Sequence, residues 1–335
     1  MHIGSVDLTS EVLIIAEIGN NHEGDVELAE ELVHLAADSG AQAVKFQTIN
    51  PYELVSPEDE GRIAQLNRYA LTPEDHLRLK DAADRAGIMF MSTPFSLSAV
   101  EMLDPLVEAF KIASGDNNFI PLLKTVARTQ KPIIMSTGMA SMAQIEYSRS
   151  VVKKEWDRLN VNPCLILLHC VSSYPTPVEE ANLSAIKLLS EMNDFVGYSD
   201  HTLGTTAAPL AVTLGARVIE KHFTISKSHS DFRDHQLSAE PDELKEMIER
   251  IKEAELYIGD GKTDIQECEI ASAQVAKRSI CANKPLEEGH VLSMADLCWL
   301  RPALGVEPGQ ESELLGRMLK KDIMAGYVFD LEDVE

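Results

Sequence analysis

Nowhere does this chain of 335 residues run apolar for long enough to cross a membrane as a helix. Basic residues are also in short supply: 30 Lys and Arg stand against 54 Asp and Glu, a formal net charge of −24. That balance excludes nucleic acid and anionic membrane as partners, because both need a net positive surface. The opening stretch, MHIGSVDLTSEVLIIAEIGN, lacks the basic, apolar and small-residue zones of a secretion signal. Cysteine is sparse and unpatterned: Cys164, Cys170, Cys268, Cys281 and Cys298, mostly among apolar residues, show no paired metal-ligand spacing. An odd number in a chain without an export signal fits reduced structural thiols, and a cytoplasmic location is expected.

What is present is ordinary for a soluble globular protein, 44% hydrophobic and 25% charged. Eight short apolar, β-branched runs recur in the first 225 residues, at 12–19, 41–48, 87–95, 109–116, 131–139, 164–175, 194–202 and 216–224. Their near-continuous apolarity suits parallel strands covered by helices. Helical patterns lie between them. After Asp25, an N-cap, apolar residues recur at Val26, Ala29, Leu32, Val33 and Ala36 until Gly40 stops the helix. Further helices are expected at 73–86, 96–106, 141–155, 180–192 and 205–215. Eight strand–helix units are the count of a (β/α)8 TIM barrel; a doubly wound open sheet is the other arrangement this pattern allows.

The ends of these runs share a feature. Glu17, Lys45, Gln47, Thr93, Lys111, Ser114, Asp116, Thr137, Tyr174, Ser199, His201 and His222 fall at or near the C-terminal ends of strands. In barrels that face carries the active site. Any one of them reads equally well as the start of a loop. Lys45 and Lys111 are harder to dismiss, because each has apolar neighbours on both sides. A lysine buried without a partner loses its charge or costs several kcal/mol. An anionic ligand meets that need, as would an intramolecular Glu or Asp.

His201 and His222 end the seventh and eighth expected strands, which are neighbours in a closed barrel. Neighbouring strands lie about 4.8 Å apart, so both imidazoles can reach one divalent ion, with water and substrate completing its shell. Each alone reads as a satisfied core or surface histidine. His22 and His235, on expected loops, are lesser candidates.

Beyond the barrel, expected over 1–262, an amphipathic helix at 241–261 ends at Gly259, and 263–276 reads as a linker. The last segment, 277–335, carries a weak internal repeat. ANKPLEEGHVLSMADL (282–297) aligns with LKKDIMAGYVFDLEDV (319–334), matching Lys284 with Lys321, Gly289 with Gly326, Val291 with Val328 and Asp296 with Asp333. A small, mainly-β domain with pseudo-twofold character is expected.

Taken together, AEIGNNHEG, VKFQT, STPF, KIASGDNNF, STGM, SYPTP, GYSDHTLG and IEKHFT, in this order and spacing, resemble the sialic (nonulosonic) acid synthase family across essentially the whole chain. The C-terminal segment, with LRP at 300–302, resembles that family's antifreeze-like (SAF) domain. The resemblance implies condensation of phosphoenolpyruvate with an N-acetylmannosamine-type sugar. It implies Mn²⁺ or Mg²⁺ on His201 and His222. Phosphoenolpyruvate would be held by Lys45, Thr93, Lys111, Ser114, Ser172 and Ser199, with Glu17 at the reacting centre. The sugar would meet Gln47, Asp116, Tyr174, Asp234 and Arg301. Arg301 would reach the barrel of a partner, implying a domain-swapped homodimer. Two positions depart from the pattern of some bacterial members: Asp116 stands where they have Glu, and Ser172 where they have Asn. The first bears on the sugar, which also includes N-acetylmannosamine 6-phosphate and 2,4-diacetamido-trideoxy hexoses among its candidates. Segment 226–241, rich in charge, is a candidate lid. Other readings are a different phosphoenolpyruvate-dependent aldol condensation on a barrel, or a non-catalytic carbohydrate-binding protein that has kept the fold.

Overall fold

Eight parallel strands form one sheet: β3 (Leu13–Gly19), β4 (Ala43–Thr48), β5 (Met89–Pro94), β6 (Phe110–Ile112), β7 (Ile133–Ser136), β8 (Leu165–Cys170), β9 (Phe195–Asp200) and β10 (Ala216–His222). Their order is β5-β4-β3-β10-β9-β8-β7-β6, and β5 runs beside β6, so the sheet curls into a (β/α)8 barrel rather than an open doubly wound sheet. The structure, a computed structural model, describes every residue except Asp194. That residue, the expected first position of the seventh strand, lies outside the described residues. Two compact units divide the chain, Met1–Gly259 and Asp260–Glu335.

Two things sharpen the barrel's interior. An antiparallel hairpin, β1 (His2–Ile3) with β2 (Val6–Asp7), was not expected from the sequence. Its Ile3 and Val6, with Leu8, cluster with Leu13, Ile15, Ala43, Met89, Met91, Ile134, Ile166, Leu168 and Val218. These are alternate residues of the strands, the set facing inward, and the hairpin plugs that end. The other alternate set, including Ile14, Ala16, Val44, Phe46 and Ile219, packs outward against the helices. One step further along, the inward set turns polar, and there the site begins.

The helices cap as their sequence directs. Asp25 accepts from Glu27 N and Leu28 N at the start of α1 (Val26–Asp38). Two short helices in the loop after β4, α2 (Pro51–Leu54) and α3 (Glu60–Asn67), were unexpected. Thr72 and Asp75 form a capping box on α4 (Pro73–Ala86), and Gly87 ends it at φ +73°, a conformation costly for other residues. Then follow α5 (Leu97–Leu103), α6 (Ile120–Arg128), α7 (Met142–Leu159), α8 (Ala185–Met192), α9 (Ala207–Thr213), α10 (Arg233–Leu237) and α11 (Pro241–Ile258). Among these α6 and α10 were also unexpected. No helix among the described residues is long and apolar enough to cross a membrane.

In the second unit, the segment read as a linker carries a 3-10 turn (Glu267–Glu269) and α12 (Ile270–Ala276). Strands β11 (Ser279–Ala282) and β12 (Leu297–Leu300) pair antiparallel. The aligned halves make matching contacts. Leu286 pairs with Ile323; Cys281 with Val328 and Met318 with Val291 are copies of one bridge. Gly289 N donates to Leu319 O as Gly326 N donates to Ala282 O. Lys284 bridges Asp296 at 3.0 Å, and its counterpart Lys321 bridges Asp333 at 2.6 Å. Both aspartates also accept within a capping turn, at Ser293–Asp296 and Asp330–Asp333. The repeat is therefore a repeat of hydrogen bonding as well as of letters.

Candidate active site

At the C-terminal ends of the strands a cleft of about 1040 Å³ opens. Its floor is the polar layer of the inward set: Glu17, Lys45, Thr93, Lys111, Ser136, Cys170, Ser199, Glu220 and His222. All are buried. Register explains why they meet: Glu17 is the partner of both Lys45 and His222, Glu220 of Ser199, and Ser199 of Cys170.

Four charged side chains form a buried chain. Lys45 Nζ lies 2.7 Å from Glu17 Oε2 and 3.8 Å from Glu220 Oε2, while Lys111 Nζ lies 3.6 Å from Glu220 Oε1. Hydroxyls hold the ends: Lys45 donates to Thr93 at 3.0 Å, Lys111 to Ser136 at 2.7 Å, and Ser199 donates to Glu220 at 2.9 Å. Burial opposes ionisation of Glu220, yet the two lysines outweigh it and hold its carboxyl below the usual range. Burial pushes the Glu17 carboxyl up, against the pull of Lys45 and with a push from Glu220. Burial lowers the Lys111 ammonium, with Glu220 opposing. One carboxylate thus bridges the two lysines while burial works against the charge of the second carboxyl, and the two ammonium groups are the donors an anionic ligand would meet.

Three rings stand together in the same cleft. His201 and His222 have centroids 5.4 Å apart, and Tyr174 lies 4.2 Å from His201 and 6.0 Å from His222. The Val171 carbonyl lies 2.8 Å and Cys170 Sγ 3.7 Å from His201 Nδ1, which places a proton there; burial lowers that ring's pKa, but Cys170 and the Val171 carbonyl outweigh it. His222 Nδ1 is buried without a hydrogen-bond partner. Burial, then His201, holds His222 well below its ordinary pKa, so the ring is neutral. A buried neutral imidazole with a free nitrogen beside a second is a donor set suited to a divalent transition ion. No group of three or more His, Cys, Asp or Glu able to hold a metal occurs among the described residues. The two rings would need water or substrate to complete a shell.

Of the residues expected from the sequence, Gln47, Ser114, Ser172 and Asp234 also line the cleft. Gly138, of the STGM motif, lets Ser114 and Ser172 approach: a Cβ there would lie 2.4 Å from Ser172 Oγ and 2.6 Å from Ser114 Oγ. Asp116 is not among the lining residues; the turn Ser114–Asp116 presents Ser114 and Gly115 instead. Arg301 is exposed on the second unit. His235 does not offer a free nitrogen, since Thr224 Oγ1 lies 2.6 Å from Nδ1 and Glu23 Oε1 3.1 Å from Nε2. That contact ties the segment carrying Phe232, Arg233 and Asp234 to the loop after β3. Arg233 stacks over Tyr174 at 5.2 Å. Glu220 and Ser136 were missed as site residues, although alternation from His222 through Glu220 to Val218 points Glu220 inward.

His22 is fully buried outside the cleft lining, where its Nδ1 accepts from Gly24 N at 3.0 Å. Burial, then His76, depresses its pKa from 6.5 to about 4. The unfolded chain therefore binds this proton between those values and the folded chain does not. The stability it contributes is full above pH 6.5 and is lost as pH falls towards 4, by roughly 3 kcal/mol. Urea unfolding of the wild type and His22→Asn at pH 7 and pH 4 checks this: the variant is expected to lose less on acidification, and equal losses would refute it.

The chain matches the NeuB family over residues 32–263. The N,N'-diacetyllegionaminic acid synthase of Legionella pneumophila is 38% identical, over 96% of this chain and 94% of its own. The pseudaminic acid synthase of Campylobacter jejuni is 37% identical, over 97% of each. Among solved structures, the N-acetylneuraminic acid synthetase of Leptospira borgpetersenii, in complex with citrate, superposes with a TM-score of 0.76 at 36% identity, covering 81% of this chain and 94% of that one. The chain belongs to the NeuB family and is an enzyme of its phosphoenolpyruvate-dependent, carbon–carbon bond-forming type.

Proposed function

We propose that this enzyme condenses phosphoenolpyruvate with the open-chain form of an N-acylated amino sugar, giving a nonulosonic acid and releasing phosphate by C–O cleavage. One observation carries the reading: Lys45 and Lys111, buried in one layer and bridged by Glu220, share a single cleft with two imidazoles. The lysines neutralise the phosphate and carboxylate of phosphoenolpyruvate, with hydroxyls of Thr93, Ser114, Ser172 and Ser199 as further donors. Such preorganised charge is worth several kcal/mol where water is excluded. Carbon 3 of phosphoenolpyruvate adds to the sugar aldehyde, and water adds at carbon 2 before phosphate departs. Glu17, whose carboxyl burial pushes up, lies beside that centre and is the group to deliver or accept a proton there. Gln47, Tyr174 and Asp234 orient the sugar.

His201 and His222 would hold Mn²⁺ or Mg²⁺. When bound, such an ion supplies Lewis-acid polarisation and orientation of the aldehyde oxygen.

Similarity to the legionaminic and pseudaminic acid synthases supports a 2,4-diacetamido-trideoxy hexose as acceptor, with N-acetylmannosamine or its 6-phosphate the other choices. Phosphate release measured across a panel of these sugars is expected to require phosphoenolpyruvate and sugar together, and to be fastest with a diacetamido hexose. Preference for the 6-phosphate would overturn the acceptor assignment; no sugar-dependent release with any member would overturn the reaction.

Arg301 is proposed to serve the barrel of a second copy in a swapped homodimer, contacting the sugar's N-acyl group. Arg301→Ala and Lys111→Ala are each expected to be nearly inactive. Co-expressed, they would regain about a quarter of wild-type activity, since half the dimers are mixed and each has one site with both residues. No recovery would sink the swap.

A further inference from the structure

Behind the two imidazoles, on the outer face of the same strands, lies an ion pair that the proposed reaction does not use. Asp200 and Lys221 are register partners on β9 and β10, and they immediately precede His201 and His222. Alternation turns both out of the barrel, to the side where Tyr198 and Ile219 join the helix-facing core. Both side chains are 0% exposed. Lys221 Nζ donates to Asp200 Oδ2 at 3.0 Å and to the Thr202 carbonyl at 2.6 Å. Asp200 Oδ1 accepts from Thr202 N at 2.8 Å, from Thr202 Oγ1 at 2.7 Å and from Tyr198 at 3.2 Å. The residues on either side of His201 are thereby tied to the residue before His222.

Stability does not account for the pair. Removing two charges from water is costly, and apolar residues of similar volume at such positions are often neutral or stabilising. Leucine and methionine would fill this aliphatic layer as well. What they cannot supply is direction: a fixed backbone at 200–202 and a bond from it to the neighbouring strand. Each imidazole hangs from the backbone that this network immobilises.

We propose that Asp200 and Lys221 are positioning residues that set the spacing of His201 and His222 so that both hold one divalent ion. The inference rests on the two-imidazole site proposed above. The test is Mn²⁺ binding alone, by calorimetry and by electron paramagnetic resonance of free Mn²⁺, on the full chain without substrates. The paired variant Asp200→Leu with Lys221→Met is expected to keep its melting temperature and its affinity for phosphoenolpyruvate. Its Mn²⁺ Kd is expected to weaken about 10- to 100-fold, the usual effect of losing a group that orients a ligand. Lys221→Arg, which keeps the charge, should retain most of the affinity. Unchanged Mn²⁺ affinity in the folded paired variant overturns the proposal while leaving the ion site intact. A wild type that binds no Mn²⁺ overturns the ion site itself, and this inference with it. If the apolar pair does not fold, Asp200→Asn with Lys221→Gln is judged in the same way; if neither folds, the pair is a stability element and the proposal is wrong.

Discussion

Lys111→Met is expected to lower kcat/KM for phosphoenolpyruvate by roughly 10²- to 10³-fold, the cost of losing one preorganised charged donor in a dry site. The loss follows from position. Lys111 is buried, its ammonium is fixed by Ser136 at 2.7 Å, and Glu220 is its nearest counter-charge at 3.6 Å. An arriving anion therefore meets a charge already desolvated and oriented. Methionine keeps the volume and removes the charge. Deleting one partner of a buried pair usually costs about 3–5 kcal/mol of stability, because the other charge is stranded. Here Glu220 keeps Lys45 at 3.8 Å and the Ser199 hydroxyl at 2.9 Å, so a smaller fall in melting temperature is expected. KM for the sugar should stay within a few-fold of wild type. A variant with normal phosphoenolpyruvate kinetics, or one whose sugar KM rises in step, would show that Lys111 does not hold the phosphoenolpyruvate anion.

The same layer shows what could be read from the letters and what could not. All eight strands were legible, because each is a short, largely apolar run whose inward set, such as Leu13, Ile15 and then Glu17, turns polar at its end. Lys45 stood out by its apolar neighbours. The alternative left open there, an intramolecular carboxylate, is present: Glu17 and Glu220 both reach it. Alternation back from His222 turns Glu220 inward, but its role between two lysines was not legible, since strand register with Ser199 and proximity to lysines from distant strands are three-dimensional facts. Asp116 lies apart from the lining. It follows a strand end like the others, but a 3-10 turn intervenes and the residues presented to the cleft are Ser114 and Gly115. The helix α6 was overlooked because its nine residues lack a side-chain cap and begin with Ile-Pro rather than an N-cap signal. In α3 only Ile63 and Leu66 are buried, too few to produce a readable stripe, yet this helix brings Arg62, Gln65 and Leu66 to the cleft wall.

The largest effect is expected from the rings. His201→Ala and His222→Ala should each reduce turnover by roughly 10³-fold or more, a loss of about 4 kcal/mol of transition-state stabilisation at 1.36 kcal/mol per decade. The two should not add. If the two imidazoles share the proposed ion, their centroids being 5.4 Å apart and no group of three His, Cys, Asp or Glu able to hold a metal occurring among the described residues, they form one weak site, and removing either ring abolishes it. The double variant should therefore be no worse than either single one, and wild type stripped by a chelator should fall to the same residual rate, restored by Mn²⁺ only where both rings remain. Tyr174, whose ring centroid lies 4.2 Å from that of His201, supplies a control. Tyr174→Phe keeps the aromatic face and should leave Mn²⁺ rescue intact while raising KM for the sugar. If instead the histidine losses multiply in the double variant, the rings act separately, one as a proton carrier and the other as a sugar contact. Full turnover in metal-free buffer would likewise rule out a shared ion, because an imidazole pair that needs no ion has no reason to fail as a unit.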